Sequence, residues 1–141
     1  MKSDEELTKR IKKEYAEYLE KAGIPYSNNQ GFYVYIPLQN VRRSFTHVCD
    51  VFNGRVLLSD YCGSCCIRLK DAIRLANVIR KKCPEYRIYV EQYSFATELS
   101  IYHEIEFTTI EALHEQVLGV AHVVDVGVEI GKEMLGEDFE R

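Results

Sequence analysis

The dipeptide Asn53-Gly54 stands between two β-prone runs, Arg43 to Phe52 and Arg55 to Asp60. Both residue types accept positive φ, which a two-residue type I′ turn demands at both central positions. No other feature constrains the fold of this 141-residue chain so tightly. A two-residue loop sets the pairing: Phe52 opposite Arg55, Val51 opposite Val56, Cys49 opposite Leu58, His47 opposite Asp60 and Phe45 opposite Cys62. Side chains alternate along a strand, so Phe45, His47, Cys49, Val51, Val56, Leu58, Asp60 and Cys62 are expected on one face.

Helical and strand patterns flank this hairpin. Ser3-Asp4-Glu5-Glu6 reads as a capping box. Leu7, Ile11, Tyr15, Tyr18, Leu19 and Ala22 then recur at helical spacing, ended by Gly23 and Pro25. Residues 26–31 read as a polar loop, and Phe32 to Ile36 as a short strand stopped by Pro37. Cys65 to Cys83 reads as a helix with Cys65, Leu69, Ala72, Ile73, Ala76, Ile79 and Cys83 as its buried stripe. Lys70, Arg74, Asn77 and Lys81 form its basic outer strip. Tyr86 to Tyr93 and Ser100 to Phe107 are two more strands, turning near residues 95–98.

The last segment carries two signals. Val124 to Ile130 alternates like a strand, and valine and glycine disfavour helix. Yet Glu111, Glu115, His122, Asp125, Glu129 and Glu133 make one acidic stripe at helical spacing, behind a Thr108-x-x-Glu111 capping box. The stripe favours a helix over 109–135. Such a helix has an apolar seam through Ile110, Leu113, Val117, Val120 and Val124, and a second apolar line through Val123, Val126 and Ile130. A small domain is not expected to sheathe both lines, so the second is expected to meet another subunit. Gly127 and Gly131 read as points of close packing.

Charge is segregated. Residues 1–22 carry six basic and six acidic side chains, residues 23–90 ten and four, and residues 91–141 two and twelve. The simplest reading is internal complementarity; the sharper one is an anionic partner on Lys70, Arg74 and Lys81. A net charge of −4 argues against general nucleic-acid binding. The uncharged stretch Ile24 to Val41 holds Asn28, Asn29, Gln30 and two prolines and is no membrane span. The start, Met-Lys-Ser-Asp-Glu-Glu, lacks the apolar core of a signal peptide, so a cytoplasmic location is expected.

Chemistry, if present, centres on Tyr61-Cys62-Gly63-Ser64-Cys65-Cys66. Helix N-termini lower thiol pKa values, and a Cys-x-x-Cys stands here between strand and helix. Over residues 55–90 this resembles the active-site turn of thioredoxin-like oxidoreductases. The resemblance implies Cys62 as attacking thiol and Cys65 as resolving thiol. No tryptophan precedes the motif and no proline follows residue 84. His47, Cys49, Cys62 and Cys65 are also the residue types of a structural zinc site. Cys62, His47 and Asp60 supply the types of a nucleophile, base and orienter. Core packing explains the same cysteines without chemistry. His103, His114 and His122 read as structural histidines, and Glu104 with Glu106 as a solvated face.

The expected fold is α+β, a mainly antiparallel sheet of about five strands in the order α-β-β-β-α-β-β-α. The expected function is that of a small, single-domain, non-enzymatic binding protein. Its partner is another protein or a second copy met through Val123, Val126 and Ile130. Ten tyrosines, several on strands, add apolar area with a polar tip, which suits interfaces.

Overall fold

Asn53 (φ 52°) and Gly54 (φ 75°) form the two-residue turn, and Phe52 and Arg55 exchange backbone hydrogen bonds of 3.0 Å across it. The computed structural model describes residues 2–62, 68–136 and 139. Beyond the turn the register departs from expectation. His47 faces Ser59 and Val48 faces Leu58. Four residues lead from Val48 to Phe52 but three from Arg55 to Leu58, so the first strand carries one extra residue, a β-bulge, over Cys49–Val51.

The bulge exchanges the faces. Thr46 and Val48 are buried with Val56, Leu58 and Asp60, while His47 and Cys49 join the opposite side with Ser59. Its cause is tertiary. Thr8 Oγ1 accepts the Val51 N–H (2.9 Å), and Lys12 pairs with Asp50 (3.0 Å). The Asp4 carboxylate accepts the N–H groups of Asn53 and Gly54 (2.8 and 3.0 Å).

The elements run α1 (Lys2–Ala22), β1 (Tyr26–Asn28), β2 (Phe32–Val34), β3 (Thr46–Val48), β4 (Arg55–Tyr61), α2 (Leu69–Lys82), β5 (Arg87–Gln92), β6 (Thr97–Glu106) and α3 (Ile110–Leu135). The fold is α+β, with one antiparallel six-stranded sheet in the order β1-β2-β3-β4-β6-β5. The unexpected strand is β1, in the stretch read as a loop. Tyr26 stacks on Phe32 at 5.5 Å, and Gly31 at φ 122° turns the chain back on itself.

All three helices cover one face of the sheet. Ile11, Tyr15 and Leu19 of α1 are buried there, with Ala72, Leu75, Ala76 and Ile79 of α2. The α2 stripe is rotated from the expected one: Leu69 and Ile73 are exposed and Leu75 replaces them in the core. α3 is helical throughout its span, about 39 Å at the usual rise. Its N-cap is Thr109, whose hydroxyl accepts the Ala112 N–H at 3.1 Å, not Thr108.

α3 lies against β3, β4, β6 and both other helices, and the single chain covers most of it. Val123 is 1% exposed and Ile130 6%. The 37–44 loop is fastened along α3 by Asn40, whose N–H donates to Asp125 (2.8 Å) and whose carbonyl accepts from Lys132. Phe139 lies over Gly131, where a β-carbon would come within 2.6 Å of its ring. Gly127 admits Cys62, whose Sγ would be 2.7 Å from a β-carbon there. Both glycines are close-packing positions.

Candidate interaction surface

Alternation places Tyr33, His47, Ser59, Tyr61, Ser100 and Tyr102 on the sheet face away from the helices. Among the described residues no helix or strand packs on this face. Its centre is a hollow of about 220 Å³. Tyr33, Phe45, His47, Tyr61, Glu98 and Tyr102 wall it, over Ser59 and Ser100.

Aromatic contacts order one half. Tyr33 and His47 stack with centroids 4.6 Å apart. A β-carbon on Gly31 would meet both rings at 3.1 Å, so the tight turn and the stack depend on the same glycine. Tyr35 meets Phe45 edge-on at 5.5 Å, and the Arg43 guanidinium lies over Tyr35 at 4.7 Å. Burial lowers the His47 pKa, opposed by the Asp50 charge.

Carboxylates order the other half. Glu91 and Glu98 stand directly opposite one another on β5 and β6. Glu91 accepts hydrogen bonds from the hydroxyls of Tyr102 (2.6 Å) and Tyr93 (2.7 Å), which hold its carboxyl below the usual range. Burial, reinforced by the Glu91 charge, pushes the Glu98 carboxyl up. Among the described residues no lysine or arginine pairs with either. At the β5–β6 turn, Tyr93 stacks on Phe95, which is 83% exposed.

The structure divides the chemical candidates between the two faces. His47 and Cys49 stay together on the open face, with Sγ 3.5 Å from Nδ1. Burial raises the Cys49 thiol pKa, opposed by a hydrogen bond with Ser59. This is the reverse of nucleophile activation. Cys62 is fully buried on the helix face. Asp60 is buried there too, and its carboxylate accepts the N–H groups of Phe45 (3.1 Å) and Tyr61 (2.7 Å). The expected pairing of His47 with Asp60 therefore does not form, because the bulge moved His47 to the other side. Cys65 and Cys66 lie outside the described residues. Among the described residues no group of three or more His, Cys, Asp or Glu side chains is placed to hold a metal ion.

Lys70, Arg74 and Lys81 are exposed along α2, and Arg74 reaches Asp71 at 3.6 Å. Of Val123, Val126 and Ile130, only Val126 retains half-exposure; the chain itself covers the other two. No helix is long and apolar enough to cross a membrane among the described residues. His103 binds Gln116 (2.9 Å) and His114 binds Tyr15 (2.8 Å), both holding elements together. Sequence reading missed the facing of Glu91 and Glu98. The signal was there: a turn closed by the Tyr93 N–H on Ala96 sets those two opposite.

A solved structure bears on the architecture. The fold resembles that of YbjN. This E. coli protein, provisionally assigned to transcription regulation, superimposes with a TM-score of 0.60 at 12% identity. The match covers 84% of this chain and 89% of YbjN, so the helix-on-sheet architecture is shared nearly end to end. No protein-family model and no curated protein sequence matches the chain.

Proposed function

We propose that this chain is a non-enzymatic protein-interaction module whose working surface is the open face of its sheet. The observation that carries the reading is the one-sided covering of that sheet. Three helices pack on one face, and the other keeps a tyrosine-walled hollow. Aromatic side chains contribute large contact area at small entropic cost, and tyrosine adds a hydrogen bond at its tip. The Glu91–Glu98 pair gives the β5–β6 half an acidic character. The partner this chemistry fits is therefore a polypeptide segment bearing arginine or lysine beside apolar side chains. Cys49 with a raised pKa and Cys62 beneath α3 support binding over thiol chemistry.

The test is an NMR titration with an Arg- and Leu-containing peptide of about ten residues, long enough when extended to cross six strands. The expected result is shift changes at Ser59, Tyr61, Ser100 and Tyr102, weakened by Glu98→Gln and by Tyr102→Ala. Changes confined to the helices, or none, overturn the reading. Self-association belongs to the same reading, and Val126 is the member of the anticipated apolar line that remains available to a second copy.

A further inference from the structure

The helical layer carries two unmatched lines of charge. Because α2 and α3 cover the same sheet face, their exposed residues both point away from the sheet. Along α2 that outer surface holds Lys70, Arg74 and Lys81, with Ile73 46% exposed among them. Along α3 it holds Glu115, Glu129 and Glu133, with Val126 half-exposed among them. The two helices are neighbours in one layer.

Neither line is neutralised from within the chain. Among the described residues, Arg74 pairs with its own helix's Asp71, and Lys70, Lys81 and the three glutamates make no ion pair. A single described ion pair, Arg55–Glu104, joins the basic middle of the sequence to its acidic end, and it lies on the sheet. The segregated charge is thus not spent on folding.

We infer that two copies of the chain associate through their helical layers, the basic line of α2 in each lying on the acidic line of α3 in the other. A two-fold axis between the neighbouring helices makes both contacts at once, so the surface is self-complementary and the assembly closes as a dimer. Ile73 and Val126 supply the apolar centre and the charges form its rim, the usual anatomy of such an interface. The inference rests on the reading of a self-associating interaction module and deepens it. Its residues are all on the face opposite the sheet hollow.

Charge exchange tests it. One variant carries Lys70→Glu and Lys81→Glu, leaving Arg74 to Asp71. The second carries Glu115→Lys, Glu129→Lys and Glu133→Lys. Native mass spectrometry and sedimentation are expected to show a wild-type dimer. Its dissociation constant rises as salt goes from about 0.1 to about 1 M, because the screening length falls from about 10 to about 3 Å. Each variant alone is expected to dimerise at least about tenfold more weakly, a loss of about 1.4 kcal/mol. An equimolar mixture is expected to recover a dimer with one copy of each, which also shows that both variants fold. A monomeric wild type at about 0.1 M salt, or variants that dimerise as tightly as the wild type, overturns the inference. If that monomer still binds the basic peptide at the sheet hollow, the helical interface alone has failed. If it binds nothing, the module reading fails with it. Capture of an unrelated acidic protein on α2, without dimerisation, counts against the second copy as occupant.

Discussion

The Tyr15 hydroxyl is hydrogen-bonded to His114 Nδ1 at 2.8 Å, joining the first helix to the last across the buried layer. Tyr18 closes over the same imidazole at 5.1 Å. Burial lowers the His114 pKa and raises that of Tyr15, so both are neutral in the fold. A histidine whose pKa is lowered on folding stabilises the native state above its unfolded value, about 6.5, and that stability is lost as pH falls below it. His47 acts in the same direction. Urea midpoints are expected to drop between about pH 7.5 and pH 5. Tyr15→Phe should cost about 1–3 kcal/mol at neutral pH by leaving the imidazole nitrogen without its partner. Equal midpoints at both pH values would remove the argument.

Gly127 and Cys62 occupy one another's space. Gly127→Ala is expected to destabilise by about 1–3 kcal/mol through overpacking. Cys62→Ala clears the sulfur from that site, so the double variant should be more stable than the two single losses predict. Additive losses in a double-mutant cycle would count against the contact.

The same burial predicts slow chemistry at Cys62. In the native protein it should react with a thiol reagent only as fast as the fold opens, and at full speed in denaturant. Peptide mapping after a brief exposure checks this. Early labelling of Cys62 would revive the oxidoreductase reading.

Arg80 guards an edge. β5 ends the sheet, and the Arg80 guanidinium donates through Nε (3.0 Å) and Nη2 to the carbonyl of Ile88. An unpaired edge strand invites pairing with other chains. Arg80→Gln is expected to leave the fold intact but raise concentration-dependent light scattering on warming. Scattering equal to the wild type's would show that the carbonyl needs no cover.

What was legible followed from local chemistry. Asn53-Gly54 specified its turn because both residues accept positive φ, and the Glu111-to-Glu133 stripe outweighed the valines of α3 because only a helix puts those carboxylates in solvent together. What was illegible depended on distant parts of the chain. The bulge answers to Thr8 and Lys12 on α1, far back along the chain. The α2 stripe shares Ala72, Ala76 and Ile79 between two phases, one adding Leu69 and Ile73 and the other Leu75, and packing on β5 and α3 chose the second. The covering of α3 drew on Asn40, bonded to Asp125 and Lys132, and on Phe139 over Gly131, neither of which advertises a helix to sit on. The open-face site inherited these errors: His47 and Cys49 were assigned together correctly, but to the wrong side.

The bulge at Cys49–Val51 also makes the hairpin tolerant of counting in a way that substitutions would not reveal. Removing one residue there restores an unbroken ladder from the Asn53-Gly54 turn and leaves Val48 opposite Leu58 and His47 opposite Ser59, with every upstream side chain on its present face. Flattening the bulge with all its residues kept is what would slide the strand, bringing His47 opposite Asp60 into the core where Thr46 and Val48 now pack. A single-codon deletion at Asp50 is thus silent in space upstream of the bulge, apart from losing the Asp50–Lys12 pair. For any sequence aligned to this one, a one-residue gap at that point is compatible with the same hollow.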